Sequence, residues 1–310
     1  MRKQKFAELL DQLKDLTKAQ RTALSELLGK AQHEKKPATI VDEKFAGKPV
    51  CPQCRSVSIH KWGIVSGIQR YRCKNCGRSF NALTGTSMAR LRKKELWLDY
   101  SKALADSLSL SKAAVRCGID RTTAFRWRHR FLQTPSQSKA CCSGITEVDE
   151  TYFRESFKGK KVSHRKPRKR GKEASLRGLS AEQIPVVVAR DRTGQTCDAV
   201  LRTRTAKEVG FCIGSQISPA SVLCIEQSRI LIKFAKDSRL AFETIGTKQR
   251  RGREKVFHVQ NVNAYHSRLK NWMRGFHGVS TERLPSYLGW RRVHEMALHS
   301  PEEWLRVSLK

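Results

Sequence analysis

Apolar residues recur along the chain in two periods, and the change from one to the other divides it. Phe6, Leu9, Leu10, Leu13 and Leu16 follow helical spacing, and Thr17-Lys18-Ala19-Gln20 has the form of a capping box opening a second helix through Leu24, Leu27 and Leu28. A helical hairpin over residues 1–36 is expected. The polar stretch 37–50, punctuated by Pro37, Gly47 and Pro49, reads as a linker. Ile59, Trp62, Ile64, Val65 and Tyr71 predict short strands within 51–84. The helical period then returns in Leu91, Leu96, Trp97, Tyr100, Leu104 and Leu108. Ser111 as a cap, Gly118 as a tight turn and Asp120 as a second cap give 88–134 the grammar of a helix-turn-helix, and Pro135 to Ser143 reads as another linker.

From Gly144 the strand pattern dominates. Ile145 to Phe153, Ile184 to Asp191, Thr196 to Leu201, Ser221 to Glu226 and Leu240 to Ile245 read as strands, with Gly194 turning the second into the third. Thr205 to Ile213, Ile230 to Ala235 and Gln260 to Phe276 read as helices, and Leu284, Tyr287, Leu288, Trp290, Trp304 and Leu305 as a C-terminal helical cover. The fold class expected is a multidomain α/β chain: N-terminal helices, a ribbon, a helix-turn-helix, then a mixed β-sheet flanked by helices over 143–292 and a helical tail over 293–310.

Charge narrows the partner. With 62 Lys and Arg against 28 Asp and Glu, the formal net charge of +34 exceeds what solubility requires and opposes compaction by self-repulsion. A polyanion, and so nucleic acid, is the economical partner. No apolar run reaches the length of roughly 18 residues that a membrane span needs, so a cytoplasmic protein is expected, with no membrane partner and with nucleoid association when bound to DNA. Second-helix residues Arg121, Thr122, Thr123, Arg126, Arg128 and Arg130 suit phosphates and major-groove edges. The run from Lys158 to Arg177 carries ten Lys or Arg and one Glu, and Lys166, Arg168, Lys169 and Arg170 near its centre are candidates for gripping phosphates.

Two constellations carry chemistry. Cys51-Pro52-Gln53-Cys54 and Cys73-Lys74-Asn75-Cys76 are knuckles whose sulfurs can close a tetrahedral zinc site, so a structural zinc ribbon with one zinc ion per chain is expected. Arg55, His60, Lys61, Arg70, Arg72, Lys74 and Arg78 make that ribbon basic. Asp149 and Glu226 each stand at or near a strand end, and Asn263, His266 and Lys270 share one face of the helix beginning at Gln260. An acid at a strand end is ordinarily a solvated turn, and a polar helix face ordinarily meets water.

Strand, hairpin, helix, strand with a terminal acid, then a polar-faced helix resembles the RNase H-like core of DDE transposases and integrases. The pair of CxxC knuckles, Val148-Asp149-Glu150-Thr151-Tyr152, the Val222-Leu223-Cys224 strand, and Asn261 to Lys270 continued by Tyr287-Leu288-Gly289-Trp290-Arg291-Arg292 resemble the zinc-ribbon-bearing bacterial insertion-sequence transposases of the ISXO-like branch. That resemblance implies a DNA transposase that binds the terminal inverted repeats of its element and catalyses strand cleavage and strand transfer. It implies Asp149, Glu226 and Asn263 as ligands of two magnesium ions, for which manganese can substitute, with Lys270 neutralising a phosphate and His266 doing the same or orienting a water. Double-stranded DNA and a homodimer or higher multimer on DNA are the implied partners. The family's serine-aspartate-glycine after the second strand is here Ile225-Glu226-Gln227, with a longer acid and no glycine. The competing reading is a non-catalytic DNA-binding protein, a decayed transposase or repressor, using the ribbon and helix-turn-helix.

Overall fold

The computed structural model describes residues 11–17, 19–22, 24, 36–45, 49–160, 180, 182–246, 256–296, 298 and 300–309. The chain divides into two compact units, Met1–Thr84 with Arg92–Leu98 and Gly85–Leu91 with Asp99–Lys310. Most of the expected N-terminal hairpin lies outside the described residues. Its capping box is present: the Gln20 amide donates to Thr17 Oγ1 at 3.3 Å, and the Thr17 amide to Gln20 Oε1 at 2.9 Å.

In the first unit, the stretch expected as a linker contains a helix, α1 (Pro37–Glu43), with proline in its first turn and Ile40 and Val41 buried. Seven residues are too few for a helical period to stand out, but two adjacent apolar side chains suffice to bury one face. The Asp42 carboxylate accepts from the Gln69 amide at 3.2 Å. Strands β1 (Ile59–Val65), β2 (Ile68–Cys73) and β3 (Ser79–Asn81) pair antiparallel in that order. Their small core is Cys51, Cys73 and Phe80, with Phe45, Ile59 and Tyr71 packed against it. Trp62, Ile64 and Val65, which mark β1 in the sequence, are exposed on this ribbon.

From Asp99 the second unit takes in the rest of α2 (Trp97–Ala105), which leads to α3 (Leu110–Arg116) and α4 (Arg121–Phe131). The α3 cap is Ser109 rather than Ser111, because Ser109 is the extended residue whose hydroxyl meets the Lys112 amide. Asp120 caps α4 as expected, accepting from the Thr122 amide at 2.7 Å. Gly118, with φ +59°, makes the turn between them. The second expected linker is also structured: it holds α5 (Gln133–Gln137) with Pro135 buried, and Cys142 bridges to Ile217.

A mixed sheet follows. Strands β4 (Ile145–Arg154), β5 (Gln183–Asp191), β6 (Thr196–Val200), β7 (Val222–Ile225) and β8 (Ala241–Thr244) lie in the order β6-β5-β4-β7-β8. The first three pair antiparallel, while β4, β7 and β8 run parallel. Helices α6 (Ala206–Ile213) and α7 (Arg229–Asp237) make the parallel crossovers and cover one face, where Val148, Val187, Leu223 and Ile225 meet Val209, Leu231 and Phe234. Helix α8 (Gln260–Arg274) covers the other, where Val186, Val188 and Cys224 meet Val262, Tyr265 and Leu269. Helices α9 (Leu284–Glu295) and α10 (Pro301–Leu309) complete the unit. Gly289 of α9 is required by packing: a Cβ there would lie 2.5 Å from the Pro135 and Ser136 backbone.

Candidate active site

Side chains alternate across β4, so Ile145, Glu147, Asp149, Thr151 and Phe153 face α8, while Val148 faces α6 and α7. The parallel register pairs Val148 with Ile225. Asp149 therefore lies beside Glu226, which follows the last residue of β7, but β4 runs on to Arg154, so Asp149 stands in mid-strand rather than near the strand end expected. Burial pushes the Asp149 carboxyl up to about 6; the Glu150 amide opposes that rise, the Glu226 and Glu150 charges add to it, and Lys270 opposes it. Gln227, the next residue, turns the chain with φ +40°, in the left-handed region where a glycine carries no strain.

From the facing helix, His266 brings Nδ1 to 3.6 Å from Asp149 Oδ2. Burial, helped by the Lys270 charge, pushes the His266 ring down to about 4, so it stands neutral near pH 7. That disfavours the expected neutralisation of a phosphate by His266 and leaves it able to orient a neighbouring group; its Nε2 is buried without a partner. Asn263 lies one turn before His266 and Lys270 one turn after, and Lys270 is exposed. Two carboxylates thus stand side by side, with Lys270 close enough to act on Asp149, and with Asn263 on the same helix as His266. Such oxygens are hard donors of the kind magnesium takes, and a cation would relieve the crowding of like charge at Asp149.

Two functional candidates stay hidden in the sequence. Glu147 is completely buried and accepts from Arg192 at 2.5 Å and from the Val262 amide at 2.9 Å. Its signal is alternation, since it shares a strand face with Ile145 and Asp149, and nothing local marks its partners. Glu150, on the opposite face, accepts from the Tyr152 hydroxyl at 2.6 Å and from Arg204 at 3.2 Å.

In the ribbon, the ligand atoms of Cys51, Cys54, Cys73 and Cys76 all lie within 4.8 Å of one another, a cluster that could hold a metal ion and is compatible with zinc. Cys51 and Cys76 approach to 3.7 Å and Cys54 and Cys73 to 3.5 Å, close to the edge of about 3.8 Å that tetrahedral zinc–sulfur bonds of 2.3 Å imply. The Cys76 amide pulls the Cys73 thiol down to about 6, and the Cys54 amide lowers the Cys51 thiol. Against the Ser56 amide, neighbouring Cys73, burial, Cys76 and Cys51 push the Cys54 thiol up to about 12, and a cation among four thiolates would relieve their mutual repulsion.

On α4, Arg121, Thr122, Arg126 and Arg130 are exposed and Thr123 is half-buried. Arg128 departs from the expected DNA-binding set because it is 1% exposed. Its guanidinium donates to the Leu108 carbonyl at 2.6 Å and stacks 4.9 Å from the Trp290 ring centre. Helical geometry explains this: Ala124, Trp127, Arg128 and Phe131 form the buried stripe. Lys166, Arg168, Lys169 and Arg170 lie outside the described residues.

Residues 142–291 match the model of the ISXO2-like transposase domain. The chain is also 27% identical, over 267 residues, to an uncharacterised protein in transposable element ISH50 of Halobacterium salinarum, covering 84% of this chain and 90% of that relative.

Proposed function

We propose, from the match of residues 142–291 to the ISXO2-like transposase domain, that this chain is a DDE-type insertion-sequence transposase with an RNase H-like core. The observation that carries this reading is the convergence on Asp149: Glu226 beside it just past the end of the neighbouring parallel strand, and His266 facing it at 3.6 Å from the helix that also bears Asn263 and Lys270. Asp149, Glu226 and the Asn263 amide oxygen would hold two magnesium or manganese ions. Bound there, such ions supply activation of the attacking oxygen and stabilisation of the leaving one during in-line displacement at phosphorus.

The chain's own residues do the rest. Lys270, exposed one turn from His266, neutralises a phosphate beside the scissile bond. His266, neutral and held by burial with Nδ1 3.6 Å from Asp149 Oδ2, orients the group beside that carboxylate. Arg121, Thr122, Thr123, Arg126 and Arg130 of α4 engage duplex DNA as the reading helix of a helix-turn-helix, and the ribbon, with one zinc ion, adds a basic surface. Synapsis of two element ends calls for at least a dimer.

The test is cleavage and strand transfer on duplexes carrying the element's ends, with magnesium or manganese. Wild-type activity is expected, with Asp149→Ala inactive though still binding end DNA; full activity in Asp149→Ala would refute the site. A specific feature supports a second reading, a transposase that retains DNA binding but has lost cleavage: Glu226 is one methylene longer than aspartate, and Gln227 follows in a left-handed conformation. An inactive wild type that gains cleavage in Glu226→Asp would establish it.

A further inference from the structure

Helix α8 must hold Asn263 and His266 opposite Asp149, yet the cap position itself supplies no cap. The residue at its cap position is Val259, whose side chain makes no capping hydrogen bond. The first-turn amides that a helix leaves unpaired are met instead by a residue just before the helix and by one far from it in sequence. The Gln260 amide donates to His258 Nδ1 at 3.3 Å, and the Val262 amide to Glu147 Oε2 at 2.9 Å, across 115 residues of sequence. Glu147 Oε1 accepts from Arg192 at 2.5 Å, and the same guanidinium reaches the His258 ring at 2.8 Å and the Val256 carbonyl at 2.6 Å. His258 Nδ1 lies 3.2 Å from Glu147 Oε1 as well, and Arg192 touches both the carboxylate and the ring.

We propose that Glu147 is a positioning residue for the active site. Its carboxylate caps α8 from the strand that carries Asp149, and so fixes the distance from that strand to Asn263 and His266. Two residues of one strand face do complementary work: Asp149 points at the site, and Glu147 holds the helix that completes it. The carboxylate suits the role because it is wholly buried, because negative charge is favoured at a helix N-terminus, and because its second oxygen is occupied by Arg192. A neutral aliphatic side chain would leave both the Val262 amide and the Arg192 guanidinium without their acceptor. The inference rests on the proposed site for its functional consequence and on the hydrogen bonds alone for its structural one.

The experiment compares full-length wild type, Glu147→Gln, Glu147→Leu and Asp149→Asn. Amide hydrogen exchange is read over 259–266, together with the manganese concentration giving half-maximal cleavage and the affinity for end DNA. In Glu147→Leu, exchange should quicken across 260–266 while β5 and the ribbon keep wild-type protection. Cleavage should fall by on the order of 100-fold, as expected for reacting groups displaced by about 1 Å, with the half-saturating manganese raised and DNA affinity unchanged. Glu147→Gln, whose amide oxygen still meets Val262, should lie between it and wild type on both readings. Wild-type exchange at 260–266 in both variants, or a wild-type manganese requirement in both beside an inactive Asp149→Asn, overturns the proposal. Cleavage surviving in Asp149→Asn would instead overturn the proposed site, while the exchange result still decides the cap.

Discussion

Asp149 is held in its place at some expense to stability. Its carboxyl, at about 6 in the fold against 3.8 in a free chain, takes up a proton more readily when folded. The charged form is therefore penalised fully above pH 6, and the penalty vanishes as pH falls toward 3.8. Asp149→Asn should stabilise the fold at pH 7.5 in buffer without added magnesium, by on the order of 1–3 kcal/mol, and the gain should fade in acid. Added magnesium should stabilise the wild type and leave the variant unmoved; calorimetry across pH reads both. Gln227 carries a second local strain. Gln227→Gly should be neutral or stabilising by up to about 1 kcal/mol in urea unfolding, and Gln227→Val destabilising, since β-branched residues resist positive φ most. At this scale the sequence shows which acids belong to strands, because strand and acid are neighbours in the chain, but it sets Asp149 too near the end of β4: pairing with β5 carries that strand on to Arg154. It does not show Glu147 as a cap, because the amide it serves lies 115 residues away.

Element by element, the chain's periodicity anticipates each strand among the described residues of the second unit, since apolar runs bounded by turns are a local signal. It fails where an element is short or its burial is lent by a distant partner. The helix Pro37–Glu43 is short, and Arg128 is buried by Trp290, whose indole donates to the Leu104 carbonyl at 3.0 Å. The buried stripe of α4 at 124, 127, 128 and 131 is nonetheless visible in the spacing; charge alone suggests that its arginine faces DNA. This separates two classes of arginine on one helix. Arg128→Ala should lose at least about 2 kcal/mol in urea unfolding, as a buried cation–π interaction and a charged hydrogen bond disappear. Arg121→Ala with Arg126→Ala should leave stability within about 0.5 kcal/mol. The same pair should lower duplex affinity and flatten its dependence on log salt by about 0.9 for each phosphate no longer neutralised.

Across the whole molecule, the two units stand on different footings, and their dependence on metal should differ accordingly. The second has apolar cores on both faces of a five-stranded sheet, with Val148, Leu223, Phe234, Tyr265 and Leu269 all but fully buried. The ribbon has Cys51, Cys73 and Phe80, two of which are themselves candidate ligands. A net charge of +34 adds self-repulsion throughout, and a ribbon bearing Arg70, Arg72, Lys74 and Arg78 has little apolar burial to set against it. Four converging thiolates around a dication would offset that repulsion and close the loop between the knuckles, so metal and fold should be inseparable there. Chelation should abolish the hydrogen-exchange protection of Ile68–Cys73 and leave that of Val186–Val188 intact. Cys54→Ser should reproduce the effect with zinc present. If strand protection in the ribbon survives chelation, its small aromatic core of Phe45, Tyr71 and Phe80 must suffice, and the cysteine cluster must be serving something other than stability.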